Sequence, residues 1–130
     1  MRLAPHRKRN VMREPVVLFG AGSAVIVEVE ESCRRLVRPV AAIVQNTADP
    51  RWAQGQSLVV PLDRLDRGLL EYEVLVPLFR PVNRRTAVIQ TRQLGAHRFG
   101  SVIDPTSILP SRLGVGEGVY VNAGCTIGAS

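Results

Sequence analysis

From Ile103 onward an aliphatic residue stands at every sixth position: Ile103, Leu109, Val115, Val121 and Ile127. A helix repeats its apolar face every 3.6 residues and a strand every second, so neither generates a period of six. The fifth position of each complete hexad is small or apolar (Ser107, Leu113, Val119, Cys125), and the second is mostly small or turn-forming (Asp104, Pro110, Gly116, Asn122, Gly128). This pattern predicts a hexapeptide-repeat parallel β-helix over 102–130, each hexad forming one side of a triangular coil with its aliphatic residue turned into the shaft. Three hexads close one coil, so this stretch supplies one coil and half of another. Such a short stack is expected to leave a strand edge and an apolar shaft end open, as a fragment or as a chain that borrows a partner's surface.

The hundred residues before it follow other periods. Val16-Val17-Leu18-Phe19 is a continuous apolar run ending in Gly20-Ala21-Gly22-Ser23, as expected of a buried parallel strand entering a tight turn. From Ala24, Val25, Val29, Cys33 and Leu36 lie at helical spacing, with Glu30–Arg34 and Glu31–Arg35 as i,i+4 pairs. Pro39 ends that helix and Val40–Val44 forms a second strand, completing a βαβ unit. Beyond a loop over Gln45–Gln56 the sequence predicts a strand at Leu58–Val60, a short helix over Leu62–Leu70 and a strand at Glu73–Leu78. A last helix runs from Pro81 to Leu94, with Gly95 as its left-handed cap. Strands alternating with helices imply a parallel sheet with right-handed crossovers, a small Rossmann-like α/β domain over 15–101 behind a tail at 1–14.

Composition narrows the function classes. Net charge is +6, but five of the seventeen basic residues (Arg2, Arg7, Lys8, Arg9 and Arg13) lie in the first fourteen positions. Setting them and Glu14 aside leaves twelve bases against ten acids, a nearly neutral body. The tail reads as a solvated arm, and aromatics at 5% supply no stacking platform, so no nucleic-acid partner is expected. No apolar run reaches the roughly 18–20 residues of a membrane span, and no secretory signal is read, so a cytoplasmic chain is expected. Cys33 and Cys125 have no metal-ligand spacing, so no metal site is expected and both read as reduced apolar fillers.

The turn at Gly20–Ser23 exposes backbone N–H groups at a helix start, which suits a phosphate; equally, Gly20 and Gly22 can serve only to make the turn tight. The dinucleotide fingerprint wants a third glycine where Val25 stands and an acid at the end of the second strand, where Gln45 and Asn46 stand. NAD is therefore disfavoured.

Taken together, Val16–Gly22, Arg84-Arg85, Val102-Ile-Asp-Pro-Thr-Ser and Gly114–Gly124 resemble the sugar O-/N-acyltransferase family of sialic-acid O-acetyltransferases and UDP-amino-sugar N-acetyltransferases. The resemblance runs from about Pro15 to Ser130. It implies a homotrimer built on left-handed β-helices with acetyl-CoA between them, and a sugar nucleotide held by the N-terminal domain. Gly20, Ala21, Gly22, Ser23, Gln45, Asn46 and Arg85 are the residues carried over as its contacts. Ser23-Ala24 stands where the family has Gly-His, and Gln45-Asn46 where it has Asp-Asp. The family's catalytic histidine falls in later coils; neither His6 nor His97 matches it, so no catalytic residue is assigned and the 130 residues are expected to be inactive alone. The other reading open to the sequence is a non-catalytic nucleotide-binding or assembly module.

Overall fold

A computed structural model describes residues 13–47 and 57–128. Val16–Phe19 forms β1, and all four of its side chains are buried. A strand with a continuous apolar run is buried on both faces, so helices must cover it on both sides. Helix α1 (Val25–Arg35) covers one face, burying Ile26, Val29, Ser32 and Cys33 against Val16, Leu18 and Ile43. Strand β2 (Val40–Gln45) pairs parallel with β1, and β3 (Val59–Pro61) with β2. The chain then returns to the far flank of β1 as β4 (Glu73–Leu75), giving a four-stranded parallel sheet of order β3-β2-β1-β4. Helix α2 (Pro81–Gln93) covers the second face, where Ala87 packs with Val17, Phe19, Val44 and Val74. Fully burying a Val, Leu, Ile or Phe contributes about 1.5–3 kcal/mol, so these two clusters hold the sheet together.

Several local expectations change. Leu62–Leu70 is not one helix but two 3-10 turns, Leu62–Arg64 and Arg67–Glu71, separated by extended backbone at Leu65 and Asp66. Asp66 caps the second by accepting from the Gly68 N–H at 2.9 Å. The fourth strand stops at Leu75 instead of Leu78, because its partner β1 ends and Pro77 has no N–H to continue a ladder. The expected ion pairs along α1 are also replaced. Arg35 turns to Asp104, Arg34 pairs with Glu31, and Glu30 accepts from Ser57 Oγ. Most of the Gln45–Gln56 loop, 48–56, and most of the basic tail, 1–12, lie outside the described residues. Glu14, assigned to the tail, is tied to the body: its carbonyl accepts from Arg38 Nε at 2.9 Å and its carboxylate pairs with Arg98.

Both helices end in the same way. After α2, Gly95 takes φ +112 and the Ala96 N–H donates back to the Thr91 carbonyl at 3.0 Å. After α1, the equivalent position is Val37, at φ +55 and exposed, with the Arg38 N–H donating to the Cys33 carbonyl at 2.9 Å. A β-branched residue in this region is strained.

From Arg98 the chain runs beside β4, with the Val74 N–H donating to Arg98 O at 2.9 Å and the Gly100 N–H to Val74 O at 3.0 Å. Arg38, nearly buried, closes the corner by donating to Ser101 O at 3.0 Å and to Glu73 Oε1 at 2.6 Å. A Cβ on Gly100 would lie 2.8 Å from Glu73 Cβ, so only glycine fits. Then β5 (Val102–Ile103) pairs parallel with β6 (Tyr120–Val121), and Ile108 bridges Thr126. Each pairing joins residues eighteen apart, three hexads, so the chain has made one full turn and lies against itself. The hexad aliphatics are less enclosed than expected: Val115 and Ile127 are each 39% exposed, because little is stacked on that turn. Among the described residues no helix is long and apolar enough to cross a membrane.

Two substitutions test this account by urea denaturation. Val37→Gly is expected to raise stability by about 1 kcal/mol, the left-handed penalty less glycine's added chain entropy. Gly100→Ala is expected to lower it by roughly 1–3 kcal/mol through the clash with Glu73.

Candidate functional site

In this sheet the chain leaves β1 in one direction for β2 and β3 and in the other for β4. The crevice beyond the carboxyl ends of β1 and β4 is therefore the switch point at which parallel sheets form ligand sites. There the Gly20–Ser23 turn faces the Val76–Phe79 segment, and Leu78 divides the space into two cavities of about 370 Å³ each. The first is the more polar, with Asn46, Thr47, Asn83 and Thr86 beside Gly22, Leu78 and Ala87. The second is mostly apolar, lying between the Val76–Phe79 segment and the coil, with Val25, Arg84, Gly118 and Tyr120 on its walls.

The residues singled out from sequence take different places. Gly20 has φ +117, and its N–H donates to Val44 O at 2.8 Å. A Cβ there would stand 3.0 Å from Leu78 Cδ2, so Gly20 is what lets Leu78 seat on the turn and divide the cavities. Ala21 is buried in the core. Gly22 and Asn46 line the polar cavity, and Asn46 Nδ2 donates to Gln90 Oε1 at 3.3 Å. Ser23 begins α1, its Oγ accepting from the Val25 N–H at 3.3 Å. Gln45 Nε2 donates to Thr47 O at 2.9 Å. Arg85 is exposed on α2 and lines neither cavity. Its neighbour Arg84 lines the apolar one, with Nη1 donating to Leu78 O at 2.9 Å and Phe79 O at 2.6 Å. Thr47, Asn83 and Thr86 were not singled out; polar residues in a loop and on a helix's first turns carry no signal until the fold brings them together.

Both helices begin at this edge, and their positive dipole ends favour an anion, although the Val25 N–H that opens α1 already bonds Ser23 Oγ and Pro81 at the start of α2 has none. Helix α2 has no acidic residue in its first turn to oppose this. The hydrogen-bonding groups of the more polar cavity are neutral amides and hydroxyls, a set suited to sugar hydroxyls and base edges. Among the described residues no cluster of His, Cys, Asp or Glu could hold a metal ion. Burial pushes the Cys33 thiol up to about 11, so it remains an unreactive core residue.

A buried carboxylate fixes the second cavity. Asp104, just after β5, is buried, and its Oδ2 accepts from Ser32 Oγ and Arg35 Nη1, each at 2.5 Å. Its Oδ1 accepts from the Thr106 N–H at 2.9 Å and Thr106 Oγ1 at 2.7 Å. Tyr120 Oη lies 2.9 Å from both Ser32 Oγ and Asn122 Oδ1 and donates its single proton to one of them. These bonds pin the coil to α1. Burial by itself raises the carboxyl pKa of Asp104, but the Ser32 and Thr106 donors and the Arg35 guanidinium outweigh it and hold it far below the usual carboxylate range.

The fold has counterparts among solved structures. The chain is similar to the perosamine N-acetyltransferase of Caulobacter crescentus in complex with CoA and GDP-perosamine, at 30% identity over 88% of this chain and 54% of that one, TM-score 0.73. A mutant of the same enzyme in the same complex superposes with TM-score 0.73 over the same shares. The acetyltransferase domain of PglB from Neisseria gonorrhoeae, in complex with acetyl coenzyme A, shares the fold at 19% identity, 88% of this chain, 55% of that one and TM-score 0.65. Both neighbours are acetyltransferases, and the chain spans about half their length. No protein-family model and no curated protein matches it.

The Asp104 arrangement has a pH signature. A carboxyl pKa lowered by folding contributes stability that is complete above the unfolded value, about 3.9, and is lost as pH falls toward the folded one. The wild-type chain is expected to lose stability steeply below about pH 4. Asp104→Asn is expected to be less stable at pH 7 and to show a shallower acid limb, read by thermal denaturation across pH.

Proposed function

We propose that this chain is the sugar-nucleotide-holding portion of an acetyl-CoA-dependent sugar acetyltransferase. Its coil is the start of a left-handed hexapeptide β-helix over 102–130, following a Rossmann-like domain over 15–101. The observation that carries the reading is the polar cavity of Gly22, Asn46, Asn83 and Thr86 at the β1/β4 switch point. It stands in a fold similar to an enzyme solved with CoA and a sugar nucleotide.

In this reading the nucleotide diphosphate lies near the starts of α1 and α2, where the positive ends of the two helix dipoles favour its charge. The amides of Asn46 and Asn83 and the Thr86 hydroxyl hold the neutral edges. This chain's contribution to the reaction is placement: it sets the acceptor amine or hydroxyl of the sugar beside the coil, converting a bimolecular encounter into a positioned one. Acetyl-CoA supplies the acyl group as an activated thioester. The histidine that takes the acceptor's proton belongs to coils outside these 130 residues. The exposed Ile108, Leu113, Val115 and Ile127 are the surface on which further coils, CoA and the other copies of a homotrimer would pack. A cytoplasmic setting follows from those substrates.

Isothermal titration of the purified chain with UDP- and GDP-sugars tests the reading. Saturable binding is expected, weakened about tenfold or more by Gly22→Val, a bulkier residue at a position that lines the more polar cavity. With acetyl-CoA added, no acetylated sugar is expected from this chain alone. Absence of any nucleotide binding would overturn the assignment of the crevice, and turnover would overturn the placement of the base.

A further inference from the structure

The apolar cavity beside the first one is unusual for a surface feature. Phe79, at its mouth, is 72% exposed, although Leu78 and Val76 beside it pack inward. Tyr120 forms the opposite wall from the coil. Pro77 lies between them, and Arg84 is locked onto the Leu78 and Phe79 carbonyls, which fixes the segment that carries the Phe79 ring. The Tyr120 hydroxyl faces away into the Ser32–Asp104–Asn122 hydrogen bonds, so its ring presents a face or edge to the cavity and cannot swing. Burial raises the phenol's pKa, so it stays neutral. Two aromatic rings and a proline carry no hydrogen-bonding pattern with which to read a base edge, and the Arg84 guanidinium beside them already donates to the Leu78 and Phe79 carbonyls. Such a wall suits the apolar C–H face of a pyranose ring, held by contact and polarisation, with the polar edges left to water and to the Arg84 side. The size agrees: about 370 Å³ lies within the range of small-ligand pockets.

Resting on the proposed binding of a sugar nucleotide, we infer that Phe79 and Tyr120 are its sugar-specificity residues: the nucleotide occupies the polar cavity, and the pyranose crosses Leu78 to lie between Phe79 and Tyr120. Two features of the arrangement support this direction of binding. The apolar cavity is the one bordered by the coil, through Gly118 and Tyr120, and the polar one is not. The hydrogen-bonding side chains are concentrated in the other cavity, where a base and ribose have edges to satisfy. Asp104 and Ser32 act through Tyr120 as positioning residues.

The test compares, by isothermal titration with the 130-residue chain, UDP-N-acetylglucosamine against UDP and GDP-mannose against GDP. For at least one pair the sugar nucleotide is expected to bind about tenfold more tightly than its nucleoside diphosphate. Phe79→Ala is expected to bring that ratio close to one while leaving the nucleoside diphosphate affinity unchanged. Because Phe79 is exposed, this variant removes no core packing. Tyr120→Phe keeps the ring but frees it from Ser32, and it is expected to reduce the ratio partway. Asp104→Asn leaves one acceptor oxygen where the carboxylate has two, so either Ser32 or Thr106 loses its acceptor, and the variant is expected to reduce the ratio partway as well. If nucleotides bind and the ratio is unaltered in Phe79→Ala and Tyr120→Phe, the inference is wrong while the nucleotide site stands. If Phe79→Ala weakens the nucleoside diphosphate equally, the apolar cavity holds the nucleotide and the proposed direction is reversed. If neither class binds the wild-type chain, the inference falls with the reading on which it rests.

Discussion

The carboxylate of Asp104 is the group on which the arrangement of the two halves depends. A sheet packed by helices and a coil of hexads have no periodicity in common, so nothing in either repeat specifies how they meet. The junction is set instead by a buried charge that accepts from Ser32 and Arg35 on α1 and from Thr106 on the coil. Removing a buried charge from its donors is costly, because each donor is then left unsatisfied as well. Arg38 repeats the device at the other corner, holding Glu73, Ser101 and Glu14 together around the glycine at position 100. With those two ties in place Tyr120 stands opposite the Val76–Phe79 segment, and a crevice that the sheet only begins is completed by the coil.

Much of the fold was legible because its signals are periodic. The apolar run Val16–Phe19, the helical spacing that follows and Val40–Val44 each predict an element, and each lies where expected within a residue or two. The parallel pairings eighteen residues apart match three hexads. What failed was aperiodic. Leu62–Leu70 has an apolar content fit for a helix, but its turns close locally on the Leu62 and Asp66 carbonyls and no face is sustained long enough to propagate. The ion pairs expected along α1 gave way because a buried carboxylate sixty-nine residues away is a better partner for Arg35 than an exposed glutamate on its own helix.

The site was half legible for the same reason. A glycine turn at a strand end is a local signal, and it led to Gly22 and, through the end of β2, to Asn46. It also implicated Gly20, Ala21 and Ser23, whose tasks are to seat Leu78, fill the core and start α1. Phe79, Asn83 and Thr86 lie in one stretch and Tyr120 in another thirty-four residues on, and only the return of the chain to the far flank of β1 brings them to the crevice begun by Gly22 and Asn46. Arg85 and Arg84 show how fine the distinction is: adjacent on one helix, one faces water and the other locks the cavity wall.

The most direct measurement is intermolecular nuclear Overhauser contact between the labelled chain and a bound sugar nucleotide. The account predicts that a single bound molecule shows contacts from its base or ribose protons to the Thr86 methyl and from its pyranose protons to the Tyr120 and Phe79 rings. A ligand that touched only the outer surface of the coil, or neither cavity, would contradict it.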